Sequence, residues 1–390
     1  MTVYGVILMT VLTHSAYKGS KVLISLYALE LGAQPWMIGF LFSMYAVFPI
    51  LLSVYAGKLS DRFGVRFPML FGACGLLTGL LLPYFWPQLA MLYVSALVAG
   101  VCYIFYIVSV QHLIGSFGDG AQRTRNYSLF SLGVGVTALV GPMTTGFAID
   151  AFGHRNTYLL LAAFPLIPIV VLAACVKFLP KPQSPKEKPE GQKVFDLFQN
   201  APLRRVLMTG GIIETGLELF NFYLPIYARS QGLSASQIGM IMGSYAVAML
   251  IMRAGMPAIT KRINEARLLS VSLLVTASIC LLFPLFSGFG PLACMAFLLG
   301  IGLGCGSPLS LILVYNHAPA GRAGEAMGLR QSINKGNETV MPVIFGLVAT
   351  FTGEAAVFWM NAVLISIGSA IMHRDGKGKM DESNSARSAS

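Results

Sequence analysis

Charged side chains are scarce in this sequence. They make up 11% of the 390 residues, whereas hydrophobic residues make up 55%, and the mean hydropathy is +0.70. A soluble domain carries about a quarter charged residues, so the composition excludes a water-soluble globular protein. The sequence therefore predicts an all-α integral membrane protein.

Cysteine is also sparse, and its placement excludes a disulfide framework. All six cysteines fall inside the long apolar runs, where they are expected to be buried free thiols. The sequence has no metal-ligand cluster, nucleophile motif or phosphate-binding loop. It therefore predicts neither an enzyme nor a cofactor or metal site.

Long apolar runs dominate what is present. A membrane-spanning helix needs about 20 apolar residues, and twelve such runs can be marked. The first is too long, and carries too many lysines, for a cleavable signal peptide, so we expect it to remain as the first span. The predicted spans cover residues 3–31, 37–56, 67–86, 88–115, 126–150, 156–178, 204–229, 236–259, 267–287, 290–316, 324–350 and 354–373.

The net charge of +11 reflects membrane topology. Lysine and arginine concentrate in alternate loops on one side, whereas the other side has only Arg155 and Arg229. Short cytoplasmic loops carry the positive excess, so both termini and the central loop are expected in the cytoplasm. The expected partner of the basic side is the lipid bilayer, with no nucleic acid.

The sequence repeats itself at an offset of 200 residues. Matching pairs run from the first span to beyond the fifth, and they include Gly32 and Gly232, Tyr45 and Tyr245, Gly100 and Gly300, Pro142 and Pro342, and Gly153 and Gly353. A constant offset predicts two parallel, pseudo-symmetric six-helix halves. The expected domains are 1–180, a polar cytoplasmic linker 181–203, 204–374 and a disordered cytoplasmic tail 375–390.

Ionisable residues recur at the same offset within the first and seventh spans. His14, Lys18 and Lys21 share one helical face. Their repeat counterparts are Glu214, Glu218 and Asn221. Charges in the membrane interior are costly and usually functional, so these positions predict a site lining a central cavity. A structural ion pair that joins the halves is the alternative.

The eleventh span adds Arg330, Asn334, Lys335, Asn337 and Glu338. Arg330, Asn334 and Asn337 form one polar stripe, whereas Lys335 and Glu338 are i, i+3 neighbours. With Arg253 of the eighth span, the cations within the spans exceed the anions by two, which favours an anionic substrate. Snorkelling to the lipid interface is the alternative for Arg253. Two further candidates, Tyr103 and Tyr106 of the fourth span, could line the path or simply pack between helices.

The charged stretch Gly57-Lys58-Leu59-Ser60-Asp61-Arg62-Phe63-Gly64-Val65-Arg66 interrupts the apolar runs and predicts an exposed turn. It resembles the signature loop between helices 2 and 3 of the major facilitator superfamily (MFS), a family of secondary transporters. That resemblance implies the MFS fold and alternating access about a midplane site lined by helices 1, 4, 7 and 10. It also implies a cytoplasmic gate formed by Gly57, Asp61, Arg62, Gly64, Arg66, Arg123 and Arg125.

These observations predict a monomeric, proton-coupled transporter of a small, polar, anionic solute in the bacterial inner membrane. A proton-driven multidrug exporter, which would favour an apolar aromatic cavity, and a non-transporting receptor or scaffold are the alternatives. The predicted proton-coupling residues are His14, Glu214, Glu218 and Glu338. The predicted substrate-binding residues are Lys18, Lys21, Tyr103, Tyr106, Asn221, Arg330, Asn334 and Lys335.

Overall fold

The computed structural model describes residues 2–117, 120–174, 194–260, 262–319 and 323–388, and these residues are almost entirely helical. The α-helices are α1 Val3–Glu30, α2 Pro35–Met44, α3 Val47–Phe63, α4 Arg66–Phe85, α5 Leu89–Ser116, α6 Gly120–Ala174, α7 Ala201–Glu218, α8 Leu224–Ser230, α9 Ala235–Thr260, α10 Glu265–Leu282, α11 Phe289–Gly304, α12 Gly306–His317, α13 Ala323–Thr352 and α14 Glu354–Ser388. A π-helical turn, Leu219–Tyr223, joins α7 to α8.

Eight stretches of the described residues are long and apolar enough to cross a bilayer. One of them, Leu129–Ala174, contains two predicted spans and bends at Gly153. The remaining predicted spans correspond to α1, α7 with α8, and α13, whose polar residues lower their hydropathy. The fold is all-α with twelve spans, as the sequence predicts.

The chain forms two compact units. The first unit contains the described residues of Met1–Glu187 with Asn221–Gly243 and Pro342–Leu347. The second unit contains those of Lys188–Phe220, Ser244–Met341 and Val348–Ser390. The domain boundaries drawn from the sequence repeat remain a prediction.

Proline and glycine explain two features of the second predicted span. The helix breaks at Tyr45 and Ala46, because the ring of Pro49 would clash with the carbonyl four residues earlier. The next helix continues to Phe63 and ends at Gly64, whose φ is +77°. The turn predicted over residues 57–66 is therefore shorter than expected, since most of that stretch extends α3.

The repeat is visible in the backbone itself. Gly32 and Gly232 have φ of +81° and +78°, and Gly153 and Gly353 have φ of +78° and +93°. Left-handed glycines commonly end helices, so equivalent helices in the two halves end in the same way. The predicted two-half architecture is confirmed.

Two repeat-related helix contacts within the first unit depend on glycine. A Cβ on Gly39 would lie 2.4 Å from the carbonyl oxygen of Pro342, and one on Gly239 would lie 2.8 Å from that of Pro142. Real Cβ atoms do not approach backbone oxygens so closely. Small residues allow membrane helices to pack backbone to backbone. The crossing of α2 with α13 and the crossing of α9 with α6 are therefore equivalent in the repeat.

The start of α9 is capped from two sides. Ser234 and Gln237 form a reciprocal capping box, in which the Ser234 amide donates to Gln237 Oε1 at 3.0 Å and the Gln237 amide donates to Ser234 Oγ at 3.3 Å. Asp150 of α6 accepts from the amides of Ala235 at 3.1 Å and Ser236 at 2.8 Å. A carboxylate also interacts favourably with a helix N-terminus, so Asp150 joins α6 to α9.

Helix α14 continues to Ser388. The backbone is therefore helical through most of the segment 375–390 that the sequence predicts to be disordered. A helix can form there because its backbone hydrogen bonds are local and Lys, Met, Glu and Arg lose little freedom in it.

We expect Gly39→Ala and Gly239→Ala each to destabilise the protein by about 1–3 kcal/mol, because the added methyl group clashes with the backbone. The midpoint of thermal unfolding in detergent measures this change. Gly255→Ala is the matched control: its Cβ would meet nothing within 4 Å, so it should be neutral or stabilise by up to about 1 kcal/mol. Equal midpoints of thermal unfolding for all three variants would show that the two helix crossings do not require glycine.

We expect Asp150→Ala to destabilise the start of α9 by about 1–2 kcal/mol, because two amide donors lose their acceptor. Hydrogen exchange at Ala235 and Ser236 should accelerate. Asp150→Asn retains one acceptor oxygen and should fall between the wild type and the alanine variant. Unchanged exchange in Asp150→Ala would contradict the capping role.

Candidate functional site

The predicted site residues of α1 lie beside aromatic side chains in the first unit. The His14 imidazole contacts the Tyr103 hydroxyl through Nδ1, and the Tyr103 ring stacks on Tyr17 with centroids 3.9 Å apart. His14, Tyr17 and Tyr103 are each at most 9% exposed. The structure therefore brings His14 and Tyr103 together, as cavity-lining roles for both would require.

Lys21 lies in an aromatic cage, which we define as Tyr17, Phe42 and Tyr45. Its ammonium nitrogen is 5.5 Å, 5.1 Å and 5.5 Å from the three ring centroids, respectively. Lys21 is 4% exposed. Cations within about 6 Å of aromatic faces are attracted by the ring quadrupole, so the cage stabilises the Lys21 charge within the membrane.

The other candidates of the first unit are Tyr106, Lys18 and Asn221. Tyr106 is fully buried on α5, with its ring centroid 6.3 Å from that of Tyr103. Lys18 is half-buried on α1, where its Cβ lies close to Gly141 of α6. Asn221 is half-buried in the π-helical turn.

In the second unit, α7 carries Glu214 and Glu218 on successive turns. Glu218 is 4% exposed, whereas Glu214 is half-buried. The π-helical turn begins at the residue after Glu218, and Pro225 follows two residues beyond that turn, where it lacks an amide donor. Such interruptions frequently accompany functional sites.

Two predicted site residues of α13, Lys335 and Arg330, are held by other groups of the second unit. The Lys335 ammonium forms an ion pair with Glu338. Arg330 is 8% exposed and donates to Ser307 Oγ at 2.9 Å, to the Ser307 carbonyl at 3.2 Å and to Ser310 Oγ at 3.3 Å. These interactions compensate two of the cations on which the anion prediction rests.

Asn334 and Arg253 differ in how their polar atoms are satisfied. Asn334 Oδ1 is buried and has no hydrogen-bond partner among the described residues. Arg253 donates from Nε to the carbonyl of Gly304 at 3.2 Å, where α11 ends. Arg253 therefore donates a hydrogen bond to another helix of the protein, whereas the Asn334 side-chain oxygen is available to accept one.

The gate predicted from the signature loop is described only in part. The Arg66 guanidinium donates to the carbonyls of Leu172 at 2.9 Å and Ala173 at 3.0 Å, near the end of α6. Arg125 is exposed. The side chains of the remaining gate residues lie outside what the structure describes: Gly57, Asp61, Arg62 and Arg123.

A cavity in the first unit lies away from these candidates. It has a volume of about 240 Å³ and is lined by Leu26, Ile149, Asp150, His154, Arg229 and Ala235. Next to it, His154 forms an ion pair with Glu30 and stacks on Tyr27 with centroids 5.6 Å apart. No predicted substrate-binding residue lines this cavity, which lies at the ends of α1 and α8, the start of α9 and the bend of α6 near Gly153.

Sequence reasoning missed the cage residues Tyr17, Phe42 and Tyr45. Tyr17 lies three residues after His14 and four before Lys21, so it shares their helical face. The same spacing argument could therefore have included it. Phe42 and Tyr45 reach the site because α2 ends there. That break could have been anticipated from Pro49, but the contact with Lys21 could not.

The family model of the Major Facilitator Superfamily matches residues 6–336. The curated proteins similar to this chain include Multidrug resistance protein MdtG of Proteus mirabilis, 27% identical over 354 residues and 87% of each chain. MdtG of Escherichia coli K12 is 26% identical over 378 residues, which are 91% of this chain and 89% of that protein.

Among solved structures, a mutant of the peptide transporter POT superposes with a TM-score of 0.80 at 15% identity, covering 95% of this chain and 93% of the other. A POT family transporter in complex with 5-aminolevulinic acid gives a TM-score of 0.77 at 15% identity, covering 96% of each chain. These likenesses concern the fold. With the family match over most of its length, the chain belongs to the Major Facilitator Superfamily and is a membrane transporter of small molecules.

Proposed function

We propose that this transporter is a proton-driven multidrug exporter. The relatives that match most of its length are named multidrug resistance proteins. The observation that carries the proposal is the aromatic character of the first unit's candidate site, where Tyr17, Phe42, Tyr45 and Tyr103 surround the ionisable residues of α1. Aromatic surfaces bind varied compounds because they offer large contact area with few directional demands.

The alternative of a dedicated anion carrier is weakened, although the pairing of Lys335 with Glu338 removes one charge of each sign and leaves the excess of cations at two. It rested on an excess of buried cations over anions, which assumes that those cations await a substrate. Lys335 is paired with Glu338, Arg330 is hydrogen-bonded by two serines, and Lys21 lies among aromatic rings. The excess of cations over anions counted from the sequence therefore does not give the net charge that the binding site presents to a substrate.

Proton coupling is assigned to His14, Glu214 and Glu218. These side chains are ionisable, and an ionisable group can gain or lose a proton when its surroundings change during the transport cycle. Glu338 is a weaker candidate than the sequence suggests, since it forms an ion pair with Lys335. Glu218 is the strongest carboxylate candidate, as it is buried and directly precedes the π-helical turn.

The remaining features of the proposal come from charge placement and family. We place the protein in the bacterial inner membrane as a monomer, with both termini and the basic loops in the cytoplasm. The stretch from Gly57 to Arg66 acts as the cytoplasmic gate. Lys18, Tyr106, Asn221 and Asn334 contribute further contacts to exported compounds.

Expression of this chain in a bacterial host that lacks its own major exporters should raise the minimum inhibitory concentration of two or more structurally unrelated compounds. Each compound should also accumulate less in the cells, and a protonophore should abolish the difference because export uses the proton gradient. The host carrying an empty vector is the control. Export of one compound alone, among a panel of cationic, neutral and anionic drugs, would contradict the multidrug assignment.

Glu218→Gln should abolish the dependence of export on an imposed pH gradient in proteoliposomes, because an amide cannot carry the proton. Compound binding to the purified variant should persist. The double variant Lys335→Met and Glu338→Gln removes a pair that is already neutral overall and should retain the pH response. Gradient-driven export that survives in Glu218→Gln would remove this residue from the coupling mechanism.

A further inference from the structure

The cavity of the first unit has the size and lining of a site for a small molecule. Its volume of about 240 Å³ is below the roughly 300–1,000 Å³ of pockets that hold drug-sized ligands. Leu26, Ile149 and Ala235, each at most 6% exposed, form its apolar floor. Asp150 and Arg229, which also line it, are exposed, so solvent reaches the cavity from its charged side. A ligand with one apolar and one polar end fits this arrangement.

Two of the three ionisable groups that line the cavity are compensated within the protein. The two oxygens of Asp150 accept from the amides of Ala235 and Ser236, and the positive end of α9 offsets the negative charge. His154 forms an ion pair with Glu30. These two groups therefore add little net charge to the cavity.

Arg229 is the third ionisable group, and it lacks such compensation. It donates from Nη1 to the carbonyl of Leu233 at 3.3 Å, and no carboxylate pairs with it in the part of the chain that the structure describes. A guanidinium has five N–H donors in a planar fork, so this single hydrogen bond leaves donors for a ligand. Arg229 also lies on the side opposite the basic loops, so the positive-inside rule does not explain it.

We propose that the cavity binds a small carboxylate with a short apolar tail, its anionic group on Arg229 and its tail on the apolar floor. A guanidinium matches a carboxylate through two parallel N–H···O bonds. Each methylene that the floor removes from water strengthens binding by up to about fourfold. The inference does not rest on the proposed export function, because none of the residues assigned to export lines the cavity.

Saturation-transfer NMR titrations of the purified protein in phosphatidylcholine nanodiscs test the proposal, with butyrate as the probe and empty nanodiscs as the blank. Butyrate should bind with a Kd of about 1 mM, which a ligand of about six non-hydrogen atoms allows. Acetate, which lacks two methylenes, should bind about tenfold more weakly. Butylammonium, which has the opposite charge, should not bind. The proposal is overturned if butyrate does not bind, or if acetate or butylammonium binds as tightly as butyrate.

Two arginine variants locate the site. Arg229→Gln should weaken butyrate binding at least about tenfold, because the charge-assisted pair is lost. Arg155→Gln is the matched control: Arg155 lies on the same side of the membrane, donates to the Tyr84 carbonyl at 2.8 Å and does not line the cavity. It should bind butyrate as the wild type does. Unchanged binding in Arg229→Gln, or an equal loss in both variants, would contradict the assignment. The comparison of butyrate with butylammonium needs no variant, so it tests the proposal even if Arg229→Gln does not fold.

An anionic lipid headgroup offers the same chemistry from the bilayer, and nanodiscs that contain phosphatidylglycerol distinguish the two sources. Butyrate should bind in them within about threefold of its affinity in phosphatidylcholine, the difference expected from a surface potential of about −30 mV. A loss of tenfold or more would assign the cavity to the headgroup and overturn the small carboxylate. These measurements involve no transport, so a wild type that exports no drug would refute the proposed function and leave this inference standing.

Discussion

The low polarity of the bilayer is the constraint on which the arrangement of this protein depends. A lysine or arginine at the centre of a membrane helix costs at least about 2.5 kcal/mol on insertion scales. Four cations within the spans are therefore each met by a specific stabilising group. Lys335 has a carboxylate, Arg330 has serine oxygens, Arg253 has a helix-end carbonyl and Lys21 has aromatic faces.

The kind of compensation determines what each cation can do during transport. The Lys335 and Glu338 pair is neutral overall, and the hydrogen bonds of Arg330 fix its orientation on α13. The aromatic faces around Lys21 add a non-directional attraction to its ammonium group.

The sequence alone predicted the features that depend on local chemistry and on the repeat. The helical fold and the two related halves follow from the apolar runs and the offset, and the matched glycines at 32, 232, 153 and 353 share the same sign of φ in the structure. The aromatic cage could not be predicted, because it requires knowing how α2 breaks and which face of α1 it meets. The anion prediction exceeded what the sequence supports, since counting charges does not identify their partners.

The cage also shows how two similar halves acquire different roles. Tyr45 and Tyr245 are equivalent in the repeat, and each packs through its carbonyl against a glycine two spans further along the chain. A Cβ on Gly100 would lie 2.6 Å from the Tyr45 oxygen, and one on Gly300 would lie 2.4 Å from the Tyr245 oxygen. Their surroundings differ, because position 20 is a serine that hydrogen-bonds with Tyr45, whereas position 220 is a phenylalanine that stacks on Tyr245 at 3.7 Å.

This difference of one residue changes what the equivalent tyrosines can bind. In the second unit the Phe220 ring covers the Tyr245 ring, so that face of the tyrosine is already used. In the first unit the smaller Ser20 binds only the Tyr45 hydroxyl, which leaves the ring for the Lys21 ammonium. A shared backbone with small local substitutions therefore places a lysine among aromatic rings in one half and a packed aromatic pair in the other.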